Sequence, residues 1–240
     1  GIADITLDFE EGTDIYWARQ QVSERLGGVM AELPAGVSGG LAPITTPLSE
    51  LYMFTLEGDF SLADKRRVLD WTVRPELRTV PGVAEVNALG GEVQTFEVRP
   101  QPERMAALGV SMADLRAALA ANNSNDGAGR MSAGETSLVV RVEGAVRTLE
   151  DLRSIRIEAP RSHAKVLLED IAKVQIGALT RYGAVTQDGR GEAVEGLVLG
   201  LRGVNARELV TALDARIASL QERLPKGMHI RTFYNRGELV

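Results

Sequence analysis

Cysteine is absent from the 240 residues, so the chain has no disulfide framework, no thiolate metal site and no thiol nucleophile. Histidine occurs only twice. His163 sits in the polar stretch "APRSHAKV", where a solvated imidazole is expected, and His229 alternates within a strand pattern and is free to face either side. Neither has a Ser or Asp partner nearby in sequence, and there is no G-x-S-x-G. "GAGRMSAG" (127–134) and "GRGEAVEG" (189–196) begin as G-x-G but have the wrong spacing afterwards and lack the strand-to-helix setting that a phosphate cradle requires; both are read as turns. There is no H-x-x-x-H, E-x-x-H or D-x-D metal pattern. No apolar run is long enough to span a bilayer, and no basic-then-apolar start marks a signal peptide. The net charge of −6 supplies no long-range attraction for nucleic acid or anionic lipid. These absences point to a chain that is not an enzyme, holds no resident cofactor and carries no complete metal site. Its abrupt ends read as an excised part of something larger.

What is present is a rhythm of strands and helices. "ADITLDFE" (3–10) alternates as a strand, and 13–34 reads as a helix capped near Thr13 or Asp14 and closed by Leu33-Pro34. "LAPITT" suggests a short edge strand, and "ELYMFTLEG" (50–58) is a clear strand. Three helix starts share one layout, Ser/Thr-x-x-Asp, at Ser61, Ser111 and Thr148. Between the first two lie "VAEVNALGG" and "VQTFEVRP", expected as a hairpin turning at Gly90-Gly91. Residues 124–135 are rich in turn formers and open a β-rich insert, after which strand 193–201, helix 205–224 and strand 228–234 resume the rhythm. The predicted class is α+β, built on a ferredoxin-like split βαβ unit interrupted by that insert.

The stretch "VAEVNALG" places Glu85 and Asn87 two residues apart, hence on one face of a short, otherwise apolar strand. One account is that this face meets solvent, where polar side chains cost nothing. The other sets them beside Glu50, which opens strand 50–58. With that strand expected next to 93–99 and strand 83–89 at the sheet edge, carboxylates and an amide from different strands would form half of an oxygen-rich cleft for a divalent cation. Met53 is read chiefly as core packing, with the rim of that cleft as its alternative position. Met105 and Met112 are read as core or interface filler.

Longer stretches carry a family resemblance. "FEEGTDIYWARQQVSERL", "RPELRTVPGVAEVNALGG", "LLEDIAKVQIG", "RYGAVTQDGRGEAVEGLVLGLRGVNARELV" and the final "FYNRGELV" resemble, in order and over essentially the whole chain, the heavy-metal-efflux branch of the RND transporters, the CusA/CzcA type. The resemblance implies the periplasmic loop between the first two membrane helices of such a pump. Residues 1–48 would be part of the porter subdomain PN1, 49–123 with 190–240 the porter subdomain PN2, and 124–189 the docking subdomain DN. It implies a proton-driven homotrimer on the periplasmic side of the inner membrane, working with a periplasmic adaptor (a membrane fusion protein) and an outer-membrane channel, the isolated segment itself being soluble. It also gives Glu50, Glu85 and Asn87 a role in substrate binding, with Glu50 and Asn87 as a partial metal site. Asn87 is a weaker ligand than an aspartate, which leaves the second ligand between Glu85 and Asn87. Oxygen donors suit zinc, cobalt or nickel as the transported cation better than Cu(I). A multidrug RND pump is the rival within the family, and its aromatic-lined pocket fits poorly with 5% aromatic residues. A freestanding ferredoxin-like ligand-sensing domain is the rival outside it.

Overall fold

A computed structural model describes residues 2–46, 48–123, 126–133, 136–142, 145–159 and 165–239. In chain order the elements begin with α1 (Ile15–Met30), β1 (Glu50–Glu57), α2 (Leu62–Val68), a π-helical turn (Leu69–Val73), α3 (Arg74–Arg78), β2 (Val83–Gly90) and β3 (Gln94–Pro100). There follow α4 (Pro102–Leu108), α5 (Met112–Ala121), β4 (Asp126–Ala133), β5 (Thr136–Val142), α6 (Leu149–Arg153), β6 (Arg156–Glu158), β7 (Lys165–Leu167), α7 (Leu168–Ile171) and β8 (Ala172–Ala178). The chain closes with β9 (Val185–Thr186), β10 (Glu192–Gly200), α8 (Ala206–Gln221), β11 (His229–Asn235) and α9 (Arg236–Leu239).

The main sheet runs β11-β1-β10-β2, with all three contacts antiparallel and β9 added beside β10. Two β-helix-β units therefore interleave, which is the ferredoxin-like order. Both helical layers lie on one face. β1 and β10 alternate so that Tyr52, Phe54, Leu56, Val194 and Val198 meet Leu69, Val73 and Leu77 from the first helical stretch and Leu209, Leu213 and Leu220 from α8 in a single core. Each helix is started by a short polar side chain whose oxygen accepts orphan backbone N–H groups: Ser61 from Asp64, and Asn205 from Arg207 and Glu208. The π turn has a local cause. Pro75 has no N–H to return to the preceding turn, and the N–H of Arg74 reaches back to Leu69 O instead.

A polar pin fixes α8 on the sheet. The Tyr52 hydroxyl, at the inner end of a buried side chain, donates to Asp214 Oδ1 at 2.6 Å and lies 2.7 Å from Thr232 Oγ1. Burial, and then the bond to Asp214, push the phenol's pKa upward, so it stays a donor. Tyr52→Phe should lower stability by about 1–2 kcal/mol, because the retained ring keeps the packing while a bond to a charged group is lost. An unchanged urea midpoint would show that the pin carries no weight.

Three expectations about the sheet need correction. Strand 50–58 is not a neighbour of strand 93–99: β1 lies between β10 and β11, and β3 pairs instead with β8. The segment after Gly90-Gly91 is therefore not the return arm of a hairpin. Residues 94–123 leave the main sheet, and Met105, Val110 and Leu115 pack with Leu152, Ile157, Val166, Leu168 and Ile171 in a second core. Residues 94–123 thus pack with the segment expected to open at 124 and not with the main sheet. Strand 83–90 does lie at the sheet edge, paired only with β10.

The Ser111 and Thr148 helix starts form as expected, each with a reciprocal box to Asp114 or Asp151. Within 124–135, the residues read as turn formers include a strand, β4, paired with β5. Among the described residues, 2–10 form no strand. Ile5, Leu7 and Phe9 are exposed, and no neighbouring strand supplies a ladder. Residues 41–46 likewise form none, although Arg202 N–H donates to Ile44 O. His163 lies outside the described residues.

Candidate functional site

The face of the main sheet away from α2, α3 and α8 carries the residues singled out from the sequence. Pairing across β1, β10 and β2 sets them in three rows. Glu50, Leu199 and Glu85 form the first; Met53, Leu197 and Asn87 the second; Thr55, Glu195 and Leu89 the third. Antiparallel partners share a face, so these nine side chains stand together while Phe54, Gly196 and Ala88 in the alternate row point to the core. A bulge between Glu50 and Tyr52 in β1 keeps Glu50 in this set although it is three residues from Met53. Met53 is therefore on the uncovered face, half-buried, and not in the core where packing alone would have put it.

The five polar members differ in what holds them. Glu85 bends around the free edge of β2. Its Oε1 accepts from the N–H of Val86 at 2.9 Å and from Arg74 Nη2 at 3.3 Å, with Arg78 Nε at 3.5 Å. Partial burial would raise its pKa, but the Val86 N–H and the two guanidinium groups outweigh this and hold the carboxyl below its usual range. Glu50 is exposed and Asn87 half-buried, and neither side chain has a hydrogen bond or ion pair among the described residues. Glu195 is half-buried and also unpaired among them, and burial, then the charge of Glu50, push its pKa upward. Thr55 is 2% exposed, and its Oγ1 has no hydrogen-bond partner among the described residues.

Glu195 was not singled out from the sequence, though its signal was present. In "EAVEGLVLG" an acid interrupts an alternating apolar strand, just as Glu85 and Asn87 interrupt theirs. His229 faces solvent beside Glu57, at 3.2 Å, where Gln187 and Arg231 also donate to the same carboxylate and Arg231 bridges to Asp188. That cluster ties the 187–188 turn to the end of the sheet. Among the described residues no three His, Cys, Asp or Glu side chains are placed to hold a metal ion together. What this face offers is two unpaired carboxylates and one unpaired amide, enough to contribute ligands to a cation but not to enclose it.

The AcrB/AcrD/AcrF family model matches residues 1–240. The chain belongs to this family. It is 40% identical over 235 residues to the cation efflux system protein CusA of Escherichia coli (strain K12), covering 97% of this chain and 22% of that protein. It is 37% identical to the cobalt-zinc-cadmium resistance protein CzcA of Cupriavidus metallidurans, over 100% of this chain and 23% of CzcA. With the nickel and cobalt resistance protein CnrA of the same organism it shares 33% identity, over 100% of this chain and 25% of CnrA. The crystal structure of a heavy metal efflux pump, crystal form II, matches with a TM-score of 0.84 at 31% identity, over 96% of this chain and 23% of that one. The chain thus spans a quarter or less of the length of these relatives. Among the described residues no helix is long and apolar enough to cross a membrane.

Proposed function

We propose that this chain is the periplasmic porter and docking portion of a proton-driven RND pump that exports a divalent cation: zinc, cobalt or nickel. In this reading residues 1–48 belong to the PN1 subdomain. The ferredoxin-like module of β1, β2, β10 and β11 is PN2, and the inserted unit, with which residues 94–123 pack, is the docking subdomain DN. The intact pump is a homotrimer on the periplasmic side of the inner membrane, joined by a periplasmic adaptor and an outer-membrane channel. The chain performs no covalent chemistry. It supplies one wall of a passage.

The observation that carries the reading is the uncovered sheet face, where Glu50 and Asn87 present oxygen donors without internal partners. Glu50 is the charged ligand and Asn87 the neutral one, and Glu85 borders the passage while its arginine contacts hold it. Hard and borderline oxygen donors fit Zn(II), Co(II) and Ni(II), and a partial set suits transport, where a cation must be released as well as bound. The two aromatic side chains of β1, Tyr52 and Phe54, are buried on the other face, which leaves that strand without an aromatic contribution to a drug pocket. In cells carrying the intact pump, Glu50→Ala at matched protein level should lower growth resistance to zinc, cobalt or nickel about tenfold, the scale of losing one metal contact. Unchanged resistance to all three would remove Glu50 from the site.

A further inference from the structure

The third row of the same face holds two groups that Glu50 and Asn87 do not account for. Glu195 lies on β10, a strand paired on both sides, and its cross-strand neighbours are Thr55 and Leu89. Four other glutamates on this module are paired with cations, Glu57 with Arg231, Glu76 with Arg216 and Arg223, Glu85 with Arg74 and Glu192 with Arg181, while the exposed Glu50 is not. Glu195 is half-buried and has no such partner among the described residues. A carboxylate taken partly out of water without a counter-charge is unfavourable, and a neutral side chain at that position would avoid the cost. Thr55, directly across from it, is 2% exposed, and its Oγ1 has no hydrogen-bond partner among the described residues. Valine has the same shape and would fill the space without burying an unsatisfied hydroxyl. Two oxygen groups opposite one another in the register, each without a partner among the described residues, suit an electropositive ligand.

We propose that Glu195 and Thr55 form a second contact point for a divalent cation, further along the sheet face than Glu50 and Asn87, with the Glu195 carboxylate as the charged ligand and Thr55 Oγ1 as the neutral one. The proposal rests on the reading of this face as one wall of a cation passage. Two charged contacts in sequence, Glu50 at the exposed end and Glu195 at the half-buried one, let a cation pass between partial sites, neither of which encloses it. Water or an opposing surface completes the coordination at each.

The test is a titration of the ¹⁵N-labelled 240-residue chain with Co²⁺, using Zn²⁺ as the diamagnetic reference. Paramagnetic shifts and broadening are expected at the amides of Thr55 and of Glu195 to Leu197, in addition to those near Glu50. Glu195→Gln should weaken the response at the inner amides about tenfold or more while preserving it at Glu50, and Glu50→Gln should do the reverse. Thr55→Val, which keeps the packing, should also weaken the inner response and serves if Glu195→Gln does not fold. A Co²⁺ response confined to Glu50, or one at the inner amides that neither Glu195→Gln nor Thr55→Val reduces, overturns the second contact. The outcome is separable from that of the underlying reading. An inner response that depends on Glu195, together with unchanged metal resistance in the Glu50→Ala pump, would sink the Glu50 assignment and leave Glu195 standing.

Discussion

Gly196→Val should destabilise the main module by about 3 kcal/mol or more, at the upper end of what overpacking a core costs. Gly196 is in the middle of β10 and opposite Phe54 on β1, on the core face. A Cβ built at Gly196 falls 2.2 Å from Phe54 Cζ and 2.6 and 2.7 Å from its two Cε atoms. The ring occupies the volume that a side chain would need. Phe54 is completely buried, among Leu69, Val73 and Leu213, so the ring has no free direction in which to swing. The strand itself would have to move, and Glu195 and Leu197, which flank the glycine, would leave their rows on the other face. Phe54→Ala alone should cost about 3–5 kcal/mol through the cavity it leaves. The double variant should be more stable than the sum of the two changes predicts, by about 1 kcal/mol or more, because valine fills part of the space the ring vacates. Urea titrations of the four proteins decide it. Strictly additive losses would mean that Phe54 and Gly196 do not share that volume.

This pair also shows where sequence reading stops. The alternation of "EAVEGLVLG" and "ELYMFTLEG" is local, and it marks each stretch as a strand. Nothing local said that the two strands lie side by side, because their paired residues are 140 or more positions apart. The same limit produced the false hairpin at Gly90-Gly91. Two glycines between two strand patterns are a turn signal whether or not the strands pair, and the partner of β3 lies far along the chain, at 172–178. Signals closed within a few residues survived intact. Ser61, Ser111 and Thr148 each cap a helix through an Asp three positions on, since that geometry needs no distant partner. The strand pattern at 3–10 failed for the opposite reason: alternation describes a face but does not provide a neighbour, and among the described residues none pairs with it. At the candidate site, Glu50, Glu85 and Asn87 were legible as polar interruptions of apolar strands. That Glu85 would turn to Arg74 and Arg78 was not, since it depends on β2 lying at an edge beside α3. Glu195 gave the same signal as Asn87, but its weight comes only from the register that sets it against Thr55.

Gly58→Ala is the other substitution expected to cost about 3 kcal/mol or more, and here the obstacle is backbone. Gly58 ends β1 at φ +124°, a region L-residues rarely enter, and a Cβ there would lie 2.4 Å from Gly227 O and 3.2 Å from both Gly227 C and Met228 Cα. Those atoms lead into β11, whose His229 pairs with Glu57, so the two chain segments cross at contact distance where the outer strand begins. A side-chain clash can be relieved by a rotamer change; this one cannot, because Met228 is itself 2% exposed and anchored in the core. The methyl group must push β11 away from β1 or force Gly58 out of its φ. Either movement disturbs the Glu57 cluster that holds the 187–188 turn, so loss of the Arg231 and Gln187 contacts should accompany loss of stability. Amide hydrogen exchange locates the damage. Protection should fall first in 229–235 and then in 50–57, while the second core, around Leu115 and Ile157, keeps its protection. A loss spread evenly over both cores, or a change in midpoint below about 1 kcal/mol, would mean that the close approach of Gly58 to Gly227 is not what sets the edge of this sheet.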